Sequence, residues 1–205
     1  MKLKWIIIIV ACTLLILTGG VLLVYSASTY AGEDLHNYCV EQSERESAQF
    51  KAYKVDKLED YMFWVAEYEE ETTYQELFVF EKARLFGVFD IGRYTTLYHL
   101  KSSEGQQVSS LLFDVNENGQ VDETKAIVFF SSNPSKITYY RIGFQENGKF
   151  GELNGGVSQE EPFVIGMTGV GSGEHIHRVY EGAIFYDENY NIIEEEGNVE
   201  KLKNK

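Results

Sequence analysis

The stretch DVNENGQVDE at residues 114–123 has the residue types and spacing of a calcium loop. An EF-hand takes oxygen ligands at positions 1, 3, 5, 7 and 9, glycine at 6 and a bidentate carboxylate at 12. Asp114, Asn116, Asn118, Gly119 and Asp122 fill positions 1, 3, 5, 6 and 9, and the carbonyl of Gln120 would serve position 7. Position 12 is Lys125, a cation where two ligand oxygens are needed, although Glu123 could stand in for it in a weak site. The flanks VSSLLFDV and AIVFF read as strands, whereas an EF-hand needs helices on both sides. A hairpin turning at Asn118-Gly119 accounts for the same residues without metal, because both tolerate positive φ. The hairpin is the preferred reading, with a weak calcium site as its alternative.

Two histidines are the next candidates. In the run Glu174-His175-Ile176-His177, strand alternation puts His175, His177, Val179 and Glu181 on one face and Ile176 and Tyr180 on the other. Imidazoles so spaced can chelate zinc, but a site needs at least a third ligand, and the sequence offers only His99 and scattered carboxylates. His175 and His177 therefore read as surface residues. The neighbouring stretch GMTGVGSGEH has neither GxGxxG spacing nor a βαβ unit, and Ser172 lacks a GxSxG elbow, so it reads as a flexible β-loop. A sortase-type transpeptidase needs a cysteine late in its barrel, whereas Cys39 precedes every strand run. No catalytic residue and no cofactor follows from these patterns.

The elements that carry these residues begin with an anchor. Trp5 to Ser26 is an uncharged apolar run, preceded by Lys2 and Lys4 and followed by Glu33 and Asp34. As a helix it is roughly 33 Å long, enough for a hydrocarbon core of about 30 Å. Positive charge on one side alone predicts a cytoplasmic amino terminus and an extracytoplasmic domain. A cleaved signal peptide has a shorter apolar region, although Ser26-Ala27-Ser28 and Thr29-Tyr30-Ala31 are candidate cleavage motifs. Ile9-Val10-Ala11-Cys12 resembles a lipobox, but more membrane core follows Cys12 where a polar tether would be needed. Residues 1–28 are thus expected to be stub and uncleaved anchor, with the bilayer held by residues 5–26.

Outside the anchor the charge is strongly acidic. Removing Lys2 and Lys4 from the 18 basic residues leaves 16 against 32 acidic ones, which argues against nucleic acid or anionic lipid surfaces as partners. Cys39 is the only cysteine there, so no disulfide forms within the domain; an intermolecular one stands as an alternative to a small residue packed on a helix. Residues 29–57 read as a connector, helical from Asp34. From Tyr61 onward, runs such as YMFWVAEY, YQELFVF, AIVFF, KITYYRIGF, PFVIG and GAIFY alternate with turn signals, among them Asp90-Ile91-Gly92, Glu146-Asn147-Gly148 and Asn154-Gly155-Gly156. This predicts a mainly β fold, an antiparallel sandwich or barrel-like domain over 58–195, with a disordered tail over 196–205.

The order LFVFEKARLFGVFDIGRYTT followed by AIVFFSSNPSKITYYRIGFQENG, about a third of the chain, resembles uncharacterised extracytoplasmic proteins of Gram-positive bacteria held by one amino-terminal helix. The resemblance implies location and fold class and carries no catalytic position. Without a nucleophile and base at workable spacing, the sequence leans toward a non-catalytic binding module at the cell surface, with a protein or cell-wall partner. The aromatic strands and the Gly151–Gly173 loops are its expected contact surface. A carboxylate-based hydrolase of wall-associated substrates is the alternative, since many acidic pairs are available; a weak calcium-binding module is the second.

Overall fold

In a computed structural model the apolar run is one helix, α1 (Lys2–Ser28). Its most apolar 18-residue stretch has a mean hydropathy of 2.9 and none of it is buried, so this helix is long and apolar enough to cross a membrane. The structure describes residues 2–45, 47–55, 58–68, 74–85, 88–115, 124–132, 137–146, 148–157, 163–170 and 178–204.

Beyond α1 the fold is mainly β. The first sheet is antiparallel, with β1 (Gln49–Tyr53), β2 (Tyr61–Glu67), β3 (Glu76–Leu85) and β4 (Phe89–Lys101) side by side in chain order. The second contains β5 (Ser109–Val115), β6 (Thr124–Ser131), β7 (Tyr139–Glu146), β8 (Lys149–Gly156), β9 (Phe163–Val170) and β10 (Arg178–Tyr186) in the order β5-β6-β9-β10-β7-β8. A further strand, β11 (Ile192–Gly197), pairs with β10. The β9–β10 link rests on one parallel pair, Arg178 opposite Val170.

Strand alternation explains why three runs are apolar at successive positions. In β3, Leu77 and Val79 face one core cluster while Phe78 and Phe80 face another. In β6, Val128 and Phe130 meet the β2–β3 face, while Ile127 and Phe129 meet Ile142, Ala183 and Phe185 of β7 and β10. In β10, Ile184 lies on the opposite face from Ala183 and Phe185, under Val199 and Leu202. Each of these strands is sandwiched between layers, so both of its faces are apolar. Helices close the outside of the stack: α2 (Glu33–Gln42) covers the first sheet with Leu35 and Cys39, and α3 (Glu200–Lys203) covers β10 with Leu202.

Several expectations need correction. Residues 29–57 are not a separate connector, because α2 packs on the first sheet and β1 is a strand of it. Residues 196–204 do not form a disordered tail: Glu196 and Gly197 belong to β11, and Leu202 is completely buried. Asp90-Ile91-Gly92 is no turn; the β3–β4 register jumps there, with Arg84 opposite Asp90 but Ala83 opposite Arg93, and Gly92 takes φ 64° as the bulge residue. Asn154-Gly155-Gly156 lies inside β8, and Gly166–Val170 of the expected loop lies inside β9. Glu146-Asn147-Gly148 does mark a hairpin, since Glu146 pairs with Lys149 across it.

Candidate functional site

The site is built on β7 and β8, whose sequences interlock. Tyr140 stands opposite Gly155 and Phe144 opposite Gly151. A Cβ on Gly155 would collide with the Tyr140 phenol, and one on Gly151 with the Phe144 ring, so the glycines are slots in which these rings lie flat. With Tyr140 and Phe144 packed against the core on one face, alternation sends Tyr139 and Arg141 to the other. Tyr186 of β10 pairs directly with Tyr139, and Asn154 of β8 with Arg141, which brings all four to the same face.

Arg141 is held rather than free. Its Nε and Nη2 donate to Glu152 Oε1 and Oε2 at 2.6 and 3.1 Å, a fork-on-carboxylate geometry. These bonds, with a smaller contribution from Tyr186, push the guanidinium further toward its charged form. Glu152 compensates that charge, so the guanidinium offers N–H donors with little net field.

Tyr190 overhangs this surface from the β10–β11 hairpin. The Asp187 carboxylate fixes the loop, accepting from the backbone N–H of Asn189 at 2.8 Å, that of Asn191 at 2.7 Å and Asn191 Nδ2 at 2.8 Å. The Asn191 bonds favour the ionised form and lower the carboxyl pKa. Within this loop Tyr190 sits at φ 62°, the one non-glycine residue at positive φ among the described residues, in a region that disfavours bulky side chains. The residue is 66% exposed, yet its ring stacks on Tyr139 with centroids 4.7 Å apart and planes within 2°. Tyr139, Tyr140, Arg141, Asn154, Gly155, Tyr186 and Tyr190 line an open pocket of about 490 Å³, within the size range of small-molecule sites. Sequence reasoning pointed to aromatic strands and to the Gly151–Gly173 stretch, which holds Asn154 and Gly155, but read that stretch as loop where β8 is a strand, and it missed Tyr190. The available signals were tyrosine and phenylalanine four apart facing glycines four apart, and a tyrosine in the loop DENYN.

A buried polar cluster lies under α2. Glu76 is 1% accessible, 4.0 Å from Arg45 Nε and 3.7 Å from His99 Nε2. The Arg45 guanidinium lies over the Tyr68 and Tyr74 rings. Burial lowers the His99 pKa, and the nearby Glu76 carboxylate opposes this without outweighing it. Burial, followed by Glu76, raises the Cys39 thiol far out of the range of a nucleophile. Fully buried and protonated, Cys39 is a packing residue, and its sulfur is out of reach of a second chain.

The calcium candidates are only partly placed. Asp114 pairs through its backbone with Lys125 at the end of the β5–β6 ladder, so strands and not helices flank the loop. Asn116, Asn118 and Asp122 lie outside the described residues, as does the Asn118-Gly119 turn itself. His175 and His177 also lie outside the described residues. Following them in β10, Val179 is exposed and Tyr180 packs into the core, the alternation expected from the sequence. Among the described residues no three His, Cys, Asp or Glu side chains group as metal ligands.

A second pocket, about 480 Å³, lies where the end of α1 meets the first sheet and is lined in part by Tyr25, Thr29, Asp60 and Arg84. There Arg93 Nε donates to Thr29 Oγ1 at 2.6 Å and its Nη2 to the carbonyl of Ser26 at 3.1 Å. Tyr30 and Tyr94 exchange two backbone hydrogen bonds of 2.8 Å. Comparison with protein families, curated proteins and solved structures finds no match to this chain.

Proposed function

We propose that the chain is a non-catalytic binding module at the bacterial cell surface, held in the bilayer by residues 5–26 with its amino terminus in the cytoplasm. Its partner is a wall-associated molecule or a protein, bound in the pocket under Tyr190. The observation that carries this reading is Tyr190 itself. A bulky side chain at positive φ costs on the order of 1–2 kcal/mol, and such strain concentrates at ligand sites. Here a rigid loop bears that cost to hold a solvent-exposed ring over a lined pocket.

Retention of the anchor is supported by the way its end is tied down. Of the two candidate cleavage motifs, Ser26-Ala27-Ser28 is helical, and Thr29-Tyr30-Ala31 is bridged to β4 and bonded by Arg93. A protease needing extended chain would first have to pull either one out of the fold. The strongly acidic domain disfavours nucleic acid as partner.

The test is a cross-linking pull-down from intact cells with the native chain and with Tyr190→Gly, beside an activity screen on wall glycan, peptide and ester substrates. Partners lost from the variant are expected. Turnover that survives purification and vanishes on changing one Asp or Glu would replace this reading with the hydrolase alternative.

A further inference from the structure

The chemistry of the pocket lining selects among ligands. Its walls are aromatic: the stacked pair Tyr139 and Tyr190, with Tyr186 centred 6.5 Å from Tyr190 and tilted by 56°. Its polar groups are the Arg141 N–H donors, the Asn154 amide, which both donates and accepts, and tyrosine hydroxyls, which do the same. Glu152 compensates Arg141, so the pocket lacks the net positive charge that a phosphate or carboxylate ligand needs, on a chain of net charge −14. A ligand matched to this lining has flat apolar faces to lie on a ring, and edge groups that are donors and acceptors at once. A pyranose fits both terms, with C–H bonds on its faces and hydroxyls around its edge. A proline-rich segment would lie on the rings but has no N–H at each proline, so it offers the Asn154 carbonyl oxygen fewer donors than a ring of hydroxyls does.

Building on the pocket assigned above, we infer that its ligand is an uncharged oligosaccharide, with one pyranose face on the exposed Tyr190 ring and its hydroxyls on Asn154 and Arg141. A volume of about 490 Å³ accommodates a short stretch of glycan rather than a single hydroxyl compound.

The test uses the full chain in phosphatidylcholine nanodiscs, which avoid sugar-headed detergent. Saturation-transfer NMR and calorimetry are run with tetrasaccharides of N-acetylglucosamine and of glucose, with a polyglucuronate and a proline-rich peptide as contrasts. Saturable binding of a neutral tetrasaccharide is expected, weakened at least tenfold by Tyr190→Gly and by Asn154→Ala in proteins that melt as the native chain does. Tighter binding of the uronate, or Tyr190-dependent binding of the peptide alone, would overturn the glycan assignment and leave the pocket reading standing. Binding of every probe unchanged by both substitutions, together with an unchanged set of cross-linked partners, would overturn both.

Discussion

Replacing Tyr190 with glycine separates a structural role for this residue from a binding role. Glycine adopts φ 62° freely, so the substitution relieves a backbone penalty of about 1–2 kcal/mol. Against this stands the lost stacking on Tyr139, about 0.5–1.5 kcal/mol for an aromatic pair. Glycine also has greater freedom in the unfolded chain, roughly 0.4–1 kcal/mol. With the residue 66% exposed there is little buried area to lose. These contributions nearly cancel, so the expected change is within about 1 kcal/mol, a midpoint shift of at most about 4 °C for a domain of this size. Thermal unfolding of the full chain in nanodiscs, followed by near-ultraviolet circular dichroism, reads it directly. A loss above about 8 °C would show that Tyr190 holds the hairpin together, and the inference from strain to binding would fail.

Truncating Leu202 to alanine should cost about 2–5 kcal/mol in the same melt, because the side chain is fully buried under β10, and a cost near zero would restore the disordered tail. Gly155→Ala should displace the Tyr140 ring and cost about 1–3 kcal/mol as overpacking, with a change in the tyrosine ring signals of the pocket in NMR spectra. Arg45→Met should destabilise by roughly 2–3 kcal/mol, the buried-pair cost discounted for the third of Arg45 that is exposed. Glu76→Gln, which removes the buried charge, should cost less, and the reverse order would contradict the pairing. The depressed His99 pKa means that the unfolded chain takes up this proton before the folded one. Stability should therefore fall as pH drops below about 6.5 and be fully regained above it; His99→Phe, which keeps the stacking on Phe78, should flatten that fall between pH 7.5 and 5.

The β class could be read from the sequence because β3, β6 and β10 carry apolar runs too short for core helices and too rich in phenylalanine and valine for loops. What pairwise packing decides could not be read. Gly151 and Gly155 resemble turn residues until they are seen opposite Phe144 and Tyr140, and that register is fixed by the β7–β8 hairpin. Leu202 sits in the polar run VEKLKNK, and only its place over Ile184 makes it a core residue. The same limit applied to the site. Tyr139, Tyr186 and Tyr190 are spread over some fifty residues and meet through strand pairing and one αL backbone position, neither of which leaves a motif.

The central claim is that the surface under Tyr190 engages a partner outside the membrane, and a photo-crosslinking side chain at position 190 in living cells tests it most directly. Illumination is expected to give a discrete adduct that is formed on intact cells, is competed by the isolated ligand, and is absent when the same group is placed at exposed Val88 in the turn between β3 and β4. Equal labelling from both positions, or no adduct from position 190, would contradict the claim.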